Sequence, residues 1–185
     1  MYALAVTADI KDILYSTIDK IGKEKIRMEI TAEIERSERC CDEIIENCKN
    51  KLDHDLDDEG LATLCEALLH FMLTASVLPS ERKVSCRGSE LDLVVPSLKM
   101  LSKSPEKALV IQIIKGNAEL TKIKHAKSVQ PHDANIWIVS AKRLEVAHKN
   151  YYVESTRFPY SRIILDINSF LLRKGDRALK LLHGQ

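Results

Sequence analysis

The sequence predicts an α/β protein: a mixed central sheet flanked by helices, preceded by a helical N-terminal region. Three observations carry this. Apolar residues before Pro79 recur at three- and four-residue steps, the period of one helix face. Beyond Pro79 the period shortens to two, the period of a strand. Two later runs, Ala108–Ile114 and Asn135–Ser140, are almost wholly apolar, as central strands buried on both faces are.

The first stripe is Ile10, Ile13, Leu14, Thr17, Ile18 and Ile21; Asp9 is placed to cap that helix and Gly22 to end it. A second stripe, Ile26, Ile30, Ile34, Cys41, Ile44 or Ile45, Cys48 and Leu52, predicts one continuous helix of about 27 residues. It reads first as packing within its own domain, because it lacks the Leu-rich repeat of a zipper, and second as a seam for a homodimer or protein partner. The acidic run Asp53-His54-Asp55-Leu56-Asp57-Asp58-Glu59 lacks the glycine and closing glutamate of a calcium loop. It reads as a linker in which Asp57 or Asp58 caps the next helix. That helix runs through Leu61, Leu64, Leu68, Met72 and Leu73, carries Glu66, and is stopped by Pro79. We therefore expect a helical region over 1–56 and an α/β domain over 57–185.

Within the second part, Lys83–Cys86 and Glu90–Val95 read as strands around a Gly88-Ser89 turn. Leu91, Leu93 and Val95 are expected on one face, Glu90 and Asp92 on the other. Asn117–Val129 reads as a basic helix, Arg162–Ile167 as a further strand, and a last helix starts at Asn168 or Ser169 and runs through Leu182.

Charge divides the chain. Residues 1–78 hold 9 Lys and Arg against 17 Asp and Glu, a net of −8; residues 79–185 hold 19 against 10, a net of +9. A basic half suits a polyanion. Lys122, Lys124 and Lys127, with Arg87, are the expected nucleic-acid contacts, made to the backbone because no base-reading motif is present. Tyr151-Tyr152 reads as strand packing before base stacking. The five cysteines, Cys40, Cys41, Cys48, Cys65 and Cys86, lack a C-x-x-C pair and read as buried thiols of a reducing compartment. No apolar run reaches membrane-spanning length and no leader pattern precedes the first stripe, so a cytoplasmic protein without membrane contact is expected. Phosphate-binding glycine loops, a serine elbow and metal-ligand histidine spacing are absent.

One resemblance stands out. Gly88-Ser89-Glu90-Leu91-Asp92-Leu93-Val94-Val95, a spacer, then Ala108-Leu109-Val110-Ile111-Gln112-Ile113-Ile114-Lys115 resembles the core of the PD-(D/E)XK, or restriction-endonuclease-like, superfamily, over about residues 60–170. That superfamily includes archaeal Holliday junction resolvases. The resemblance implies metal-dependent DNA cleavage: Asp92 holding Mg²⁺, Lys115 positioning water or phosphate, and Glu66 assisting from the preceding helix. Ile113 stands where the second acid belongs, and isoleucine binds no metal. Gln112 or Glu90 would have to fill that role. Three readings follow: an active nuclease; a catalytically degenerate relative that binds nucleic acid or scaffolds a partner; and an unrelated α/β domain with a similar strand pair.

Overall fold

The computed structural model describes residues 2–52 and 56–174. Four helices open the chain: α1 (Tyr2–Ile21), α2 (Lys23–Ala32), α3 (Arg36–Lys51) and α4 (Asp58–Ala75). Helix α1 begins well before Asp9, so that residue lies inside the helix and does not cap it. Gly22 separates α1 from α2 at φ 105°, a backbone setting that side chains disfavour. The expected 27-residue helix is two helices. Glu33 turns extended at φ −143° and Arg36 clamps its carboxylate with two hydrogen bonds of 2.8 and 3.1 Å. A straight helix of that length would run about 40 Å, past the core it covers. The break lets Ile26 and Ile30 of α2, and Cys41, Ile44 and Cys48 of α3, all reach the interior. The stripe is thus buried within this chain. Residues 53–55 of the acidic run lie outside the described residues. Asp57 caps α4 by accepting from the Gly60 amide at 2.7 Å.

The sheet has five strands in the order β1 (Glu81–Cys86), β2 (Ser89–Val95), β3 (Leu109–Ile114), β4 (Ile136–Ser140) and β5 (Lys149–Tyr151). The β1/β2 and β2/β3 pairs are antiparallel; β3/β4 and β4/β5 are parallel. The β1–β2 turn is Arg87-Gly88, both at positive φ (51° and 77°), one residue earlier than the Gly88-Ser89 expected from sequence. Helices α5 (Leu98–Lys103) and α6 (Thr121–Val129, after a 3-10 turn over Asn117–Leu120) follow β2 and β3. The chain ends, within the described residues, in α7 (Ile163–Arg173).

Helix α7 replaces the strand expected over 162–167. Ile163, Ile164, Ile167, Phe170 and Leu171 are buried at helical spacing, so the β-branched run belongs to a helix face and Asn168 and Ser169 lie inside the helix. Its expected extension to Leu182 falls outside the described residues. The fifth strand is β5, three residues long and too short to show alternation. Its Tyr151 is core: the ring packs on Trp137 and the hydroxyl donates to Asp166 at 2.7 Å.

Two apolar clusters sandwich the sheet. On one face α1–α4 and α7 cover Leu93, Val95, Ile111, Ile113, Trp137 and Val139. On the other, α5 and α6 cover Leu91, Val94, Val110, Ile114, Ile136 and Ile138. The first cluster joins Ile10, Ile26 and Cys48 to the sheet, so it runs across the boundary drawn at residue 57. All five cysteines are free and buried, and burial pushes the Cys65 thiol up to about 12. Among the described residues no helix is long and apolar enough to cross a membrane.

Candidate functional site

The site forms where the sheet ladder splits. Strand β2 pairs with β3 through Val95/Leu109, Val94/Val110 and Leu93/Ile111, and the pairing stops there. At the next step two side chains replace the backbone bonds. Gln112 Oε1 accepts from the Asp92 amide at 2.9 Å, and Asp92 Oδ2 accepts from the Ile113 amide at 2.9 Å. Gln112 Nε2 donates to the carbonyls of Glu90 (3.3 Å) and Lys122 (3.1 Å). Gln112 is fully buried, and each of these bonds ties one backbone segment to the next.

The same split disturbs β1. Arg82/Leu93 and Val84/Leu91 pair, but the intervening Lys83/Asp92 pair is missing, and Lys83 sits at φ 49°. A left-handed setting costs an ordinary residue about 1–2 kcal/mol. Facial alternation breaks here as well. Leu91 belongs to the cluster under α6 while Leu93 belongs to the cluster on the opposite face, so the single face expected for Leu91, Leu93 and Val95 does not hold. No residue is inserted; the chain twists through the site.

Six charged side chains meet at the split. Lys83 Nζ lies 2.7 Å from Asp92 Oδ1 and 2.8 Å from Glu66 Oε1, bridging strand β2 to helix α4. Lys115, just past β3, places Nζ 2.8 Å from Glu66 Oε2. Lys122, on α6, places Nζ 3.1 Å from Asp92 Oδ2 and 3.3 Å from Glu119 Oε2. Glu119 closes the ring by accepting from the Lys115 amide at 2.8 Å. Three ammoniums face three carboxylates, and the cluster is electrically balanced. Charge-assisted bonds of this length are the strong kind, and the Glu66 and Asp92 side chains are only 13% and 8% exposed. Partial burial alone would raise the Glu66 carboxyl. The neighbouring His70 imidazole and the Lys115 and Lys83 ammoniums outweigh it and hold it well below the usual carboxylate range. Burial likewise disfavours the Lys83 ammonium, but Asp92 and Glu66 raise its pKa overall.

The structure therefore brings Asp92, Lys115 and Glu66 into one cluster. Asp92 and Lys115 are joined through Glu66 and Lys83, without direct pairing. Gln112 is present as a strap between strands. Glu90 contributes its carbonyl; its carboxylate is exposed and makes no ion pair with the cluster among the described residues. Ile113, in the second acid's place, is fully buried in the core beneath α4. Lys122, read from sequence as a nucleic-acid contact, is spent on Asp92 and Glu119. Lys127 pairs with Asp133 at 3.4 Å. Lys124 and Arg87 are exposed and pair with no carboxylate among the described residues. Lys83 was missed: it reads from sequence as one residue of an edge strand.

Mg²⁺ does not fit this arrangement. Both oxygens of Asp92 and both of Glu66 already accept from ammoniums or an amide, and the gap between the two carboxylates holds the Lys83 nitrogen. Among the described residues no group of three or more His, Cys, Asp or Glu is placed to hold a metal ion. A cleft of about 220 Å³ opens beside Lys115 at the C-terminal ends of parallel β3 and β4, lined also by Gly116, Asn117, Ser140 and Lys142. Clefts at that end of parallel strands are the usual ligand position in α/β sheets. The chain matches no protein-family model, no curated protein and no solved structure.

Proposed function

We propose that this chain is a restriction-endonuclease-like protein of PD-(D/E)XK descent that binds nucleic acid without cutting it. The observation that carries the reading is Lys83 Nζ between Asp92 and Glu66, at 2.7 and 2.8 Å. Metal-assisted phosphodiester cleavage requires carboxylate oxygens free to hold a divalent cation that activates water. Here the Lys83 ammonium stands between those oxygens, and Ile113 supplies no further acid. The strand–turn–strand layout with Asp92, Lys115 and Glu66 supports the descent. The net charge of +9 over residues 79–185 supports a polyanionic partner. An active nuclease is the second reading, favoured by the convergence of Asp92, Glu66 and Lys115 in one cluster.

One experiment separates them. Purified full-length chain is titrated into labelled duplex DNA across a salt series, and supercoiled plasmid is incubated with the chain in Mg²⁺ or Mn²⁺. Binding that weakens with salt, is indifferent to divalent cations, and leaves the plasmid intact is the expected result. Plasmid cleavage that disappears in Asp92→Ala would establish the nuclease instead. Absence of binding at low salt would remove nucleic acid as the partner.

A further inference from the structure

The charged ring is balanced, so it does not itself attract phosphate; attraction must come from cations outside it. Helix α6 shows where they are. Lys122, at its start, touches Asp92 of β2, and Ser128, near its end, lies 3.0 Å from Ser89 at the beginning of β2, hydroxyl to hydroxyl. The helix therefore runs along the hairpin from the ring to the turn. The two measures agree: six helical residues span about 9 Å, and three strand residues about 10 Å. Thr121, Lys124, His125 and Ser128 are exposed at three- and four-residue steps, so they form one outward stripe. Arg87 stands at the turn, exposed, where the stripe ends. Ser89 and Cys86 face α6, so by alternation Glu90 faces away from it. Asp133 at the far end of α6 is already paired with Lys127.

We infer that the outer stripe of α6 and the β1–β2 turn form the phosphate-contacting track, with Lys124 and Arg87 as its principal cations and the backbone of a DNA duplex as its ligand. The inference rests on the nucleic-acid reading above and adds where the ligand lies. The stripe holds no phenylalanine, tyrosine or tryptophan, so an unpaired base would find only the small His125 ring to stack on. Its length matches about three phosphates of one strand, at 3.4 Å of axial rise each. Of the other cations near the sheet, Lys142 is paired with Asp58 and Arg143 sits beside Glu145, while Arg82, Lys99, Lys103 and Lys107 are exposed but lie on β1, α5 and the turn before β3, outside this stripe.

The test measures the affinity of full-length chain for a fluorescein-labelled random duplex as a function of monovalent salt. Two double variants are compared with wild type: Arg87→Gln/Lys124→Gln, and Lys127→Gln/Lys142→Gln as the paired control. Losing two phosphate contacts lowers the log–log salt slope by about 1.8 and, with affinities equal at 1 M, weakens binding about 60-fold at 0.1 M salt. The control changes the slope by less than half of that. All four positions are exposed, and matching circular dichroism and urea midpoints establish that the variants fold. A wild-type slope in Arg87→Gln/Lys124→Gln, beside salt-dependent binding by the wild type, overturns the track but not the function. A wild type that binds no duplex at any salt overturns the function itself. Tighter binding of the same sequence as a single strand overturns the commitment to duplex.

Discussion

Replacing Gln112 by leucine tests whether that residue is a strap or a spectator. The two side chains have similar volume, so packing is nearly conserved and the polar loss dominates. The Asp92 amide loses its acceptor at 2.9 Å inside a fully buried position, and the carbonyls of Glu90 and Lys122 each lose a donor. An orphaned buried amide costs about 1–3 kcal/mol and each lost neutral hydrogen bond about 1 kcal/mol. The expected total is about 3–5 kcal/mol, a large share of the roughly 5–15 kcal/mol that holds an ordinary domain together. Urea unfolding followed by far-ultraviolet circular dichroism reads this directly. With a slope near 2 kcal/mol per molar, the midpoint should fall by about 1.5–2.5 M at unchanged slope. A fall below about 0.5 M would show that Gln112 does not hold the split strands together.

Two further outcomes follow from the same geometry. Asp57→Ala removes the side chain that accepts from the Gly60 amide, and should lower stability by about 1 kcal/mol in the same assay. Because the Glu66 pKa is depressed on folding, its contribution is present at neutral pH and disappears as pH falls below its ordinary 4.5 toward the lower folded value. Wild type should therefore lose stability between about pH 5 and pH 3, whereas Glu66→Gln, weaker at neutral pH, should show a shallower acid limb. Parallel acid limbs in the two proteins would show that Glu66 is not held ionised by its lysines.

Part of this site is legible in the sequence. Asp92, Lys115 and Glu66 were placed by a strand, a strand end and a helix face, and all three arrive in one cluster. Lys83 was hidden by a single residue of register. With the turn at Gly88-Ser89, the residue opposite Asp92 would be Ser85; with the turn at Arg87-Gly88, it is Lys83. A lysine facing the candidate metal-binding aspartate would have argued against a metal at once. The misreading of 162–167 has a different origin. Ile163, Ile164 and Ile167 satisfy a strand's taste for β-branched residues, and only the later Phe170 and Leu171 reveal the helical step. The break between α2 and α3 carries no glycine or proline. It is set by what the helices must cover, a tertiary cause that local pattern does not encode.

The lysines of the basic half are not one population, and this bears on what the fold is built to do. Lys83, Lys115 and Lys122 are consumed in holding an aspartate and two glutamates at the sheet's split, and Lys127 and Lys142 each answer a single aspartate. The raised pKa of Lys83 means that its charge persists throughout neutral pH. A divalent ion seeking Asp92 and Glu66 would have to expel an ammonium secured by two short bonds and leave its positive charge beside its own. Lys83 thus helps to join the strands where their ladder bonds are missing, and it fills the space between Asp92 and Glu66 that a metal ion would need. The cations left unanswered, Lys124 and Arg87 among them, lie beside that ring and not within it. On the proposed reading, the ring around Asp92 is therefore structural, and recognition of a phosphate backbone would fall to the adjoining helix and turn.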